Sequence, residues 1–209
     1  MITLYWAPQT RSGRALWALE EVAQKYEIVP IDIRAEDRRD PKSFRAASPL
    51  GKVPAIVDNV VGTDIRVADS AAIALYLAER YAPGSLAPKA NGPSRGEFLT
   101  WLFSTPSVIE PAMAEKFAGL EPNPTSYAWG SFDKMVAAME ARLDGREWVV
   151  AERFTMADLM LAGSIEFMSM FGILEPTPVL KTYMDRCLAR PAAVRARERD
   201  AEEAAKLEA

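Results

Sequence analysis

Ser48-Pro49-Leu50-Gly51-Lys52-Val53-Pro54-Ala55-Ile56, followed by Asp69-Ser70-Ala71-Ala72-Ile73, decides the reading of this chain. A proline stands where an apolar strand should begin. At the start of a strand it removes a donor that the ladder does not need. A cis Val53–Pro54 bond would turn the Val53 amide and carbonyl outward, where an extended peptide can pair with them by strand addition. Asp69-Ser70 then opens a helix, whose N-terminal amides and partial positive charge attract a carboxylate. Ser70 adds a hydroxyl donor, and Asp69 can accept from an ammonium group. Both residues also suit ordinary helix capping. Together the two segments point to a small acidic peptide as ligand.

The flanking sequence gives these segments a frame. Ile2-Thr3-Leu4-Tyr5-Trp6 is a β-rich run, ended by Ala7-Pro8-Gln9-Thr10. Ser12 to Lys25 carries Ala15, Leu16, Leu19, Val22 and Ala23 at helical spacing. Glu27 to Ile33 reads as a second strand, so the first three pieces form a βαβ unit with parallel strands. Ala55-Ile56-Val57 and Ile65-Arg66-Val67 read as a hairpin, and Asp69 to Tyr81 as a helix. The order β-α-β, loop, β-β-α is that of a thioredoxin-like α/β domain.

The rest of the chain is different. Residues 82–92 form a Pro/Gly-rich linker. Beyond it helices are expected near 93–118, 124–144, 155–171, 177–189 and 191–207, with Pro106 and Pro111 kinking or interrupting the first. The domains are therefore 1–81, thioredoxin-like, and 93–209, all-α. In Phe154-Thr155-Met156-Ala157-Asp158-Leu159, Thr155 and Asp158 make a capping box and Phe154 with Leu159 a hydrophobic staple. Asp158 thus has a structural reason to be acidic. The run Arg195-Ala196-Arg197-Glu198-Arg199-Asp200 reads as a solvated helix face.

Composition narrows the chemistry. The net charge of −4 over 209 residues gives no footprint for nucleic acid. There is no histidine and a single cysteine, Cys187. That excludes a Ser-His-Asp triad, a Cys-His pair, a Cys/His zinc site and a C-x-x-C redox pair, and no metal is expected. Cys187 reads as a small buried apolar residue. The longest apolar stretch, Phe154 to Leu174, is interrupted by Asp158 and Glu166, so no membrane span is expected. Without a signal peptide the expected location is cytoplasmic. Gly51-Lys52 is no phosphate loop, because Ala46 and Val53 stand where that motif needs glycine and Ser/Thr.

Thr10-Arg11-Ser12-Gly13-Arg14 lies between the first strand and first helix. Small hydroxyls here sit where a helix N-terminus would stabilise anionic sulfur. They also suit N-capping, by Thr10 or Ser12.

Over nearly its whole length the chain resembles cytosolic glutathione S-transferases. The resemblance is carried by Thr10-Arg11-Ser12-Gly13-Arg14-Ala15-Leu16-Trp17-Ala18-Leu19-Glu20-Glu21, Ser48 to Ala55, Asp69 to Ile73 and Phe154 to Asp158, in this order. It is nearest to bacterial and fungal members with a Ser-Arg-Ser-x-Arg start. The resemblance implies glutathione as co-substrate, a detoxifying transferase, a second small hydrophobic electrophile and a homodimer. It assigns the Val53 backbone, ahead of cis Pro54, to the cysteinyl unit, and Asp69 with Ser70 to the γ-glutamyl head. Lys52 goes to the glycyl carboxylate, with Arg11 beside the cofactor. Thr10 falls at the family's catalytic Ser/Cys position when aligned on Arg14, and Ser12 serves if the loop shifts. Threonine there removes cysteine-type chemistry. Other outcomes of the same site are a non-catalytic glutathione-binding or interaction module, or a glutathione-dependent isomerase, ether-cleaving enzyme or dehalogenase. The electrophile is expected against Trp6, Ala7, Trp101, Phe103, Thr105 and the surroundings of Trp129.

Overall fold

The computed structural model describes residues 1–35 and 40–208. The chain divides into two compact units, one formed by Met1–Pro83 with the chain from Arg190 on, the other by Gly84–Ala189.

In the first unit, β1 (Ile2–Trp6), α1 (Ser12–Glu21), β2 (Tyr26–Pro30), α2 (Lys42–Ala47), β3 (Ala55–Asp58), β4 (Ile65–Ala68) and α3 (Ser70–Tyr81) follow in order. The sheet order is β2-β1-β3-β4, with β1 and β2 parallel and the other two pairs antiparallel. This is the βαβ–ββα order expected from the sequence. The inner strand β1 is nearly all buried, whereas the edge strands β2 and β4 are half-exposed. Pro30 ends β2 on the edge, where a missing donor does no harm.

Three boundaries differ from expectation. Helix α1 stops at Glu21 rather than Lys25, because Ala23 takes a left-handed φ of +51° that turns the chain into β2. Strand β2 ends at Pro30 rather than Ile33, because the Asp32 carboxylate accepts from the Arg34 and Ala35 amides and closes a turn. Helix α2 falls where a loop was expected. Its six residues are held by packing: Phe44 is fully buried with its ring 5.3 Å from that of Tyr5, in a cluster with Ile31, Ala47 and Ala55.

The last helix, α9 (Pro191–Glu208), belongs by contact to this first unit. Arg190, just before it, makes a two-pronged pair with Glu21 (2.7 and 2.8 Å), and Arg195 reaches Glu20 at 2.7 Å. The Trp6 indole donates to Asp200 at 2.7 Å. The run 195–200 is thus solvated at Arg195, Arg197 and Glu198, as expected, but docked through buried Ala196 and half-buried Asp200. Burial raises the Asp200 carboxyl above its ordinary range, against the opposing Trp6 hydrogen bond.

The second unit is all helical: α4 (Arg95–Ser104), a π-helical turn (Thr105–Ile109), α5 (Glu110–Ala118), α6 (Phe132–Leu143), α7 (Met156–Met170) and α8 (Pro178–Leu188). The expected interruption near Pro106 and Pro111 is a change of ladder, not a break. Glu110 N–H bonds to the Thr105 carbonyl five residues back. The Ser104 and Ser107 hydroxyls satisfy the Trp101 and Phe103 carbonyls (2.8 and 2.6 Å). Helix α6 begins at Phe132 rather than 124. Asn123 draws Ser126 and Tyr127 into a turn, Gly130 is left-handed, and Ser131 caps Lys134 N–H at 3.3 Å. Cys187 is buried on α8. Among the described residues no helix is long and apolar enough to cross a membrane.

Candidate functional site

The register brings the two opening segments together. Tyr5 on β1 faces Ala55 on β3, and Ala55 faces Ala68 on β4. The loop after Trp6, the Val53–Pro54 step before β3 and the Asp69–Ser70 step after β4 therefore lie at one end of the sheet. Parallel pairing of Trp6 with Pro30 adds Ile31 to Arg34 there, with Ile31 N–H donating to Trp6 C=O at 2.8 Å.

The Val53–Pro54 bond is cis. Among the described residues neither peptide group of Val53 has a hydrogen-bond partner, while Pro54 is buried. The preceding loop is held by a residue that sequence reasoning misses. Buried Ser48 accepts from Lys52 N–H (2.9 Å) and donates to Lys52 C=O (2.7 Å), so one hydroxyl clasps both peptide groups of Lys52. Gly51 turns at φ +62° with its amide on Ser48 C=O. A serine ahead of a Pro-x-Gly turn is the one signal that points to it. Lys52 itself is exposed, and among the described residues its ammonium has no partner.

Asp69 caps α3: Oδ1 accepts from Ala71 N–H (2.8 Å) and Ala72 N–H (3.2 Å). Its backbone sits at φ +79°, ψ 134°, a conformation that costs a non-glycine residue about 1–3 kcal/mol and clusters at functional sites. Among the described residues only Oδ1 is engaged. Ser70, the first helical residue, is 7% exposed, and among the described residues its hydroxyl has no partner.

In the first loop Gln9 is left-handed, at φ +56°. Thr10 Oγ1 donates to Ala7 C=O at 2.7 Å, lies 2.9 Å from Ser12 Oγ and accepts Ser12 N–H at 3.1 Å. Ser12 Oγ also accepts Ala7 N–H at 3.4 Å. Thr10 is half-buried, whereas Ser12 is 0% exposed. Arg11 is half-buried at the N-cap of α1, whose first turn carries no acidic side chain. The positive helix terminus is therefore not neutralised locally. Thr10, Arg11, Lys52 and Val53 line one cavity of about 210 Å³ with Ile33 and Gly51. Asp69 and Ser70 stand at the same sheet end outside that lining.

Ile33 also lines a second cavity of about 380 Å³, with Ala7, Pro8, Pro30, Ile31, Asp32, Arg34 and Leu207 of α9. Of the residues expected to meet an electrophile, Ala7 is in this wall. Trp6 is fully buried with its indole on Asp200. Within the second unit, Trp101 lies under Arg142, Phe103 is exposed, Thr105 is buried, and Trp129 stacks on Tyr127 and donates to Glu115.

A mixed four-stranded sheet with a cis-proline step, followed by a helical unit, defines the class: a thioredoxin-like domain joined to an all-α one. Residues 10–80 match the family model "Glutathione S-transferase, N-terminal domain", and residues 127–191 match "Glutathione S-transferase, C-terminal domain". The chain belongs to the glutathione S-transferase family. It is 28% identical over 176 residues to glutathione S-transferase 3 of Schizosaccharomyces pombe, covering 76% of this chain and 70% of that one. It is 24% identical over 193 residues to a glutathione S-transferase of Hyoscyamus muticus, covering 86% and 89%. Among solved structures, a sphingomonad glutathione S-transferase complexed with glutathione superposes with a TM-score of 0.77 at 25% identity, over 95% of this chain and 98% of that one.

Proposed function

We propose that the protein binds glutathione at this sheet end and directs its thiolate at an electrophilic carbon of a small hydrophobic molecule. One observation carries the reading: the unengaged groups at this end match, in kind, what a γ-glutamyl-cysteinyl-glycine peptide offers. Asp69 Oδ2 and the Ser70 hydroxyl suit the ammonium and carboxylate of the γ-glutamyl head. The Val53 amide and carbonyl suit the cysteinyl peptide groups. The Lys52 ammonium suits the glycyl carboxylate; Arg11 lines the same cavity but is itself engaged, and the reading does not rest on it. The bound peptides of the sphingomonad structure and other glutathione-bound relatives support the same co-substrate.

Thr10 is the group proposed to face the sulfur, since it lines the cavity while Ser12 is buried behind it. A free thiol titrates near ~8.5, so ionising it at neutral pH needs a downward shift of about two units, or roughly 2.7 kcal/mol. A hydrogen bond to a charged group contributes about 1.5–3 kcal/mol, and the unopposed α1 terminus about 0.3–1 kcal/mol. The two suffice. The thiol proton leaves to water. The thiolate lone pair then forms the new S–C bond, and the leaving group departs with the pair from its bond to carbon. The 380 Å³ cavity, whose wall combines Ala7, Pro8, Ile31, Ile33 and Leu207 with Asp32 and Arg34, suits an electrophile with an apolar body.

Calorimetric titration of glutathione into wild type and Ser70→Ala tests the reading; a wild type that binds none overturns it. A second reading, a glutathione-binding module without turnover, is favoured by the Thr10 proton resting on Ala7 C=O. Conjugation to a panel of aromatic halides and isothiocyanates separates the two, since a module binds and never turns over. Family kinship supports the remaining proposals: a cytoplasmic detoxifying enzyme of the bacterial and fungal type, with domains 1–81 and 93–209 and a homodimeric assembly. Leu50 supports the last, being 85% exposed on the loop beside the site. Sedimentation of wild type and Leu50→Glu checks it.

A further inference from the structure

The geometry points to Ser12 as a positioning residue that makes Thr10 an obligate donor to the sulfur, an inference that rests on the transferase reading above. Thr10 Oγ1 has one proton and two lone pairs. Ser12 N–H lies on one lone pair at 3.1 Å, and Ser12 Oγ stands 2.9 Å from the same oxygen. The proton between the two hydroxyls can belong to either side, and the surroundings decide which. If Thr10 donates to Ser12, the Ala7 carbonyl 2.7 Å away loses its hydroxyl donor. The Ser12 proton, on a residue that is 0% exposed, then has no acceptor among the described residues. If Ser12 donates to Thr10, and Thr10 to Ala7 C=O, both protons and both lone pairs of Thr10 are placed. Buried polar groups adopt the arrangement that satisfies them.

The consequence is chemical. A hydroxyl with an open lone pair can accept from a neutral S–H and so favour the thiol. With both lone pairs filled by Ser12, the Thr10 hydroxyl can only donate, and donation favours the thiolate. A donor whose own oxygen already accepts two hydrogen bonds is also polarised towards stronger donation. Turning from Ala7 C=O to the sulfur is then the one motion the Thr10 proton must make. Ser12 never touches the sulfur in this scheme; its buried hydroxyl acts through Thr10.

The test is a pH titration of the bound glutathione thiolate by its ultraviolet absorbance, with steady-state kinetics, on wild type, Ser12→Ala, Ser12→Cys, Thr10→Val and the double variant Thr10→Val/Ser12→Ala. Ser12→Ala should raise the bound thiol's pKa by about half to one unit, lowering kcat/KM about three- to tenfold near neutral pH and converging on wild type at high pH. KM for glutathione should move less than about twofold. Ser12→Cys, which keeps a weak donor of similar size, should fall between the two and stands in if the alanine variant folds poorly. Thr10→Val should shift the thiol further, and adding Ser12→Ala should change it by less than about twofold, since the serine acts only through the lost hydroxyl. A Ser12→Ala thiol that titrates with wild type, a loss independent of pH, or additive effects in the double variant overturns the proposal. If Thr10→Val alone leaves the thiol unshifted, the assignment of Thr10 falls and this proposal with it. If wild type binds no glutathione, the transferase reading itself fails.

Discussion

Two helices of this protein begin on acidic and hydroxyl side chains, and they use them in opposite ways. At the start of α7, Asp158 is 0% exposed and both carboxylate oxygens are engaged. Oδ1 accepts from Val149 N–H (2.7 Å) and Tyr183 O–H (2.9 Å). Oδ2 accepts from Thr155 N–H (2.8 Å) and Thr155 O–H (3.0 Å). At the start of α3, Asp69 engages only Oδ1, its neighbour Ser70 has no hydroxyl partner among the described residues, and the backbone is held at φ +79°. Saturated capacity marks a structural joint. Unengaged capacity on a strained backbone marks a place prepared for something else. In sequence the two starts look alike.

The saturated joint should give the largest effect. Asp158→Ala leaves several buried donors without a partner, at about 1–3 kcal/mol each, so a loss of roughly 3–5 kcal/mol is expected in urea unfolding. Asp158→Asn should cost less. Burial raises the Asp158 carboxyl above its ordinary range despite the hydrogen bonds from Val149, Thr155 and Tyr183 that lower it. A folded pKa above the unfolded one contributes stability that is present below the unfolded value and is lost as pH rises through the folded one. The gap between wild type and Asp158→Asn should therefore move in favour of wild type as pH falls. A wild type that loses ground to the asparagine variant on acidification would contradict this.

At α3 the effects should be on ligand, not fold. Asp69→Asn keeps the cap through its side-chain oxygen but removes the charge proposed to face the γ-glutamyl ammonium. Glutathione affinity should fall about ten- to a hundredfold, as one charge-assisted hydrogen bond of about 1.5–3 kcal/mol is lost, with the unfolding midpoint nearly unchanged. Ser70→Ala should cost about tenfold or less, near ~1 kcal/mol, again without loss of stability. Equal losses in stability and affinity would make α3 a second structural joint and erase the contrast.

Much of the fold is legible in the sequence. The βαβ–ββα order follows from short apolar runs punctuated by Pro and Gly. The cap at Asp69 and the Thr155–Asp158 box follow from local chemistry; the cis step at Val53–Pro54 is left open by it and is implied by the family resemblance. What is not legible depends on partners distant in sequence. Helix α2 exists because Phe44 meets Tyr5. The run from Arg195 to Asp200 reads as wholly solvated until Trp6 is brought to Asp200 and Glu20 to Arg195, which leaves only part of it in water. Pro106 and Pro111 announce a disturbance, but not that the ladder shifts to a π turn. At the site, sequence ranks Thr10 ahead of Ser12 only through the alignment on Arg14, and local chemistry alone does not separate them. Only burial separates a hydroxyl residue in the cavity wall from one behind it. The role of Ser48 is not legible because it lies in two backbone groups of Lys52.

The smallest expected effect is the sharpest probe of the contrast. Asp69→Gly changes two things of opposite sign. It removes the Oδ1 cap, which costs only a few tenths of a kcal/mol when glycine is the replacement. It also frees a backbone at φ +79°, which glycine adopts at no steric cost, where an L-residue is strained by about 1–3 kcal/mol. Greater freedom in the unfolded chain takes back about 0.4–1 kcal/mol. The sum runs from about zero to ~2 kcal/mol in favour of glycine, so the thermal midpoint should hold or rise by up to several degrees. Glutathione binding should nonetheless fall at least as far as in Asp69→Asn, because the carboxylate is gone. A clear gain in stability with loss of binding would mean that the strain at Asp69 is kept for the ligand. A clear loss of stability would mean that the cap, not the ligand, is what the aspartate serves.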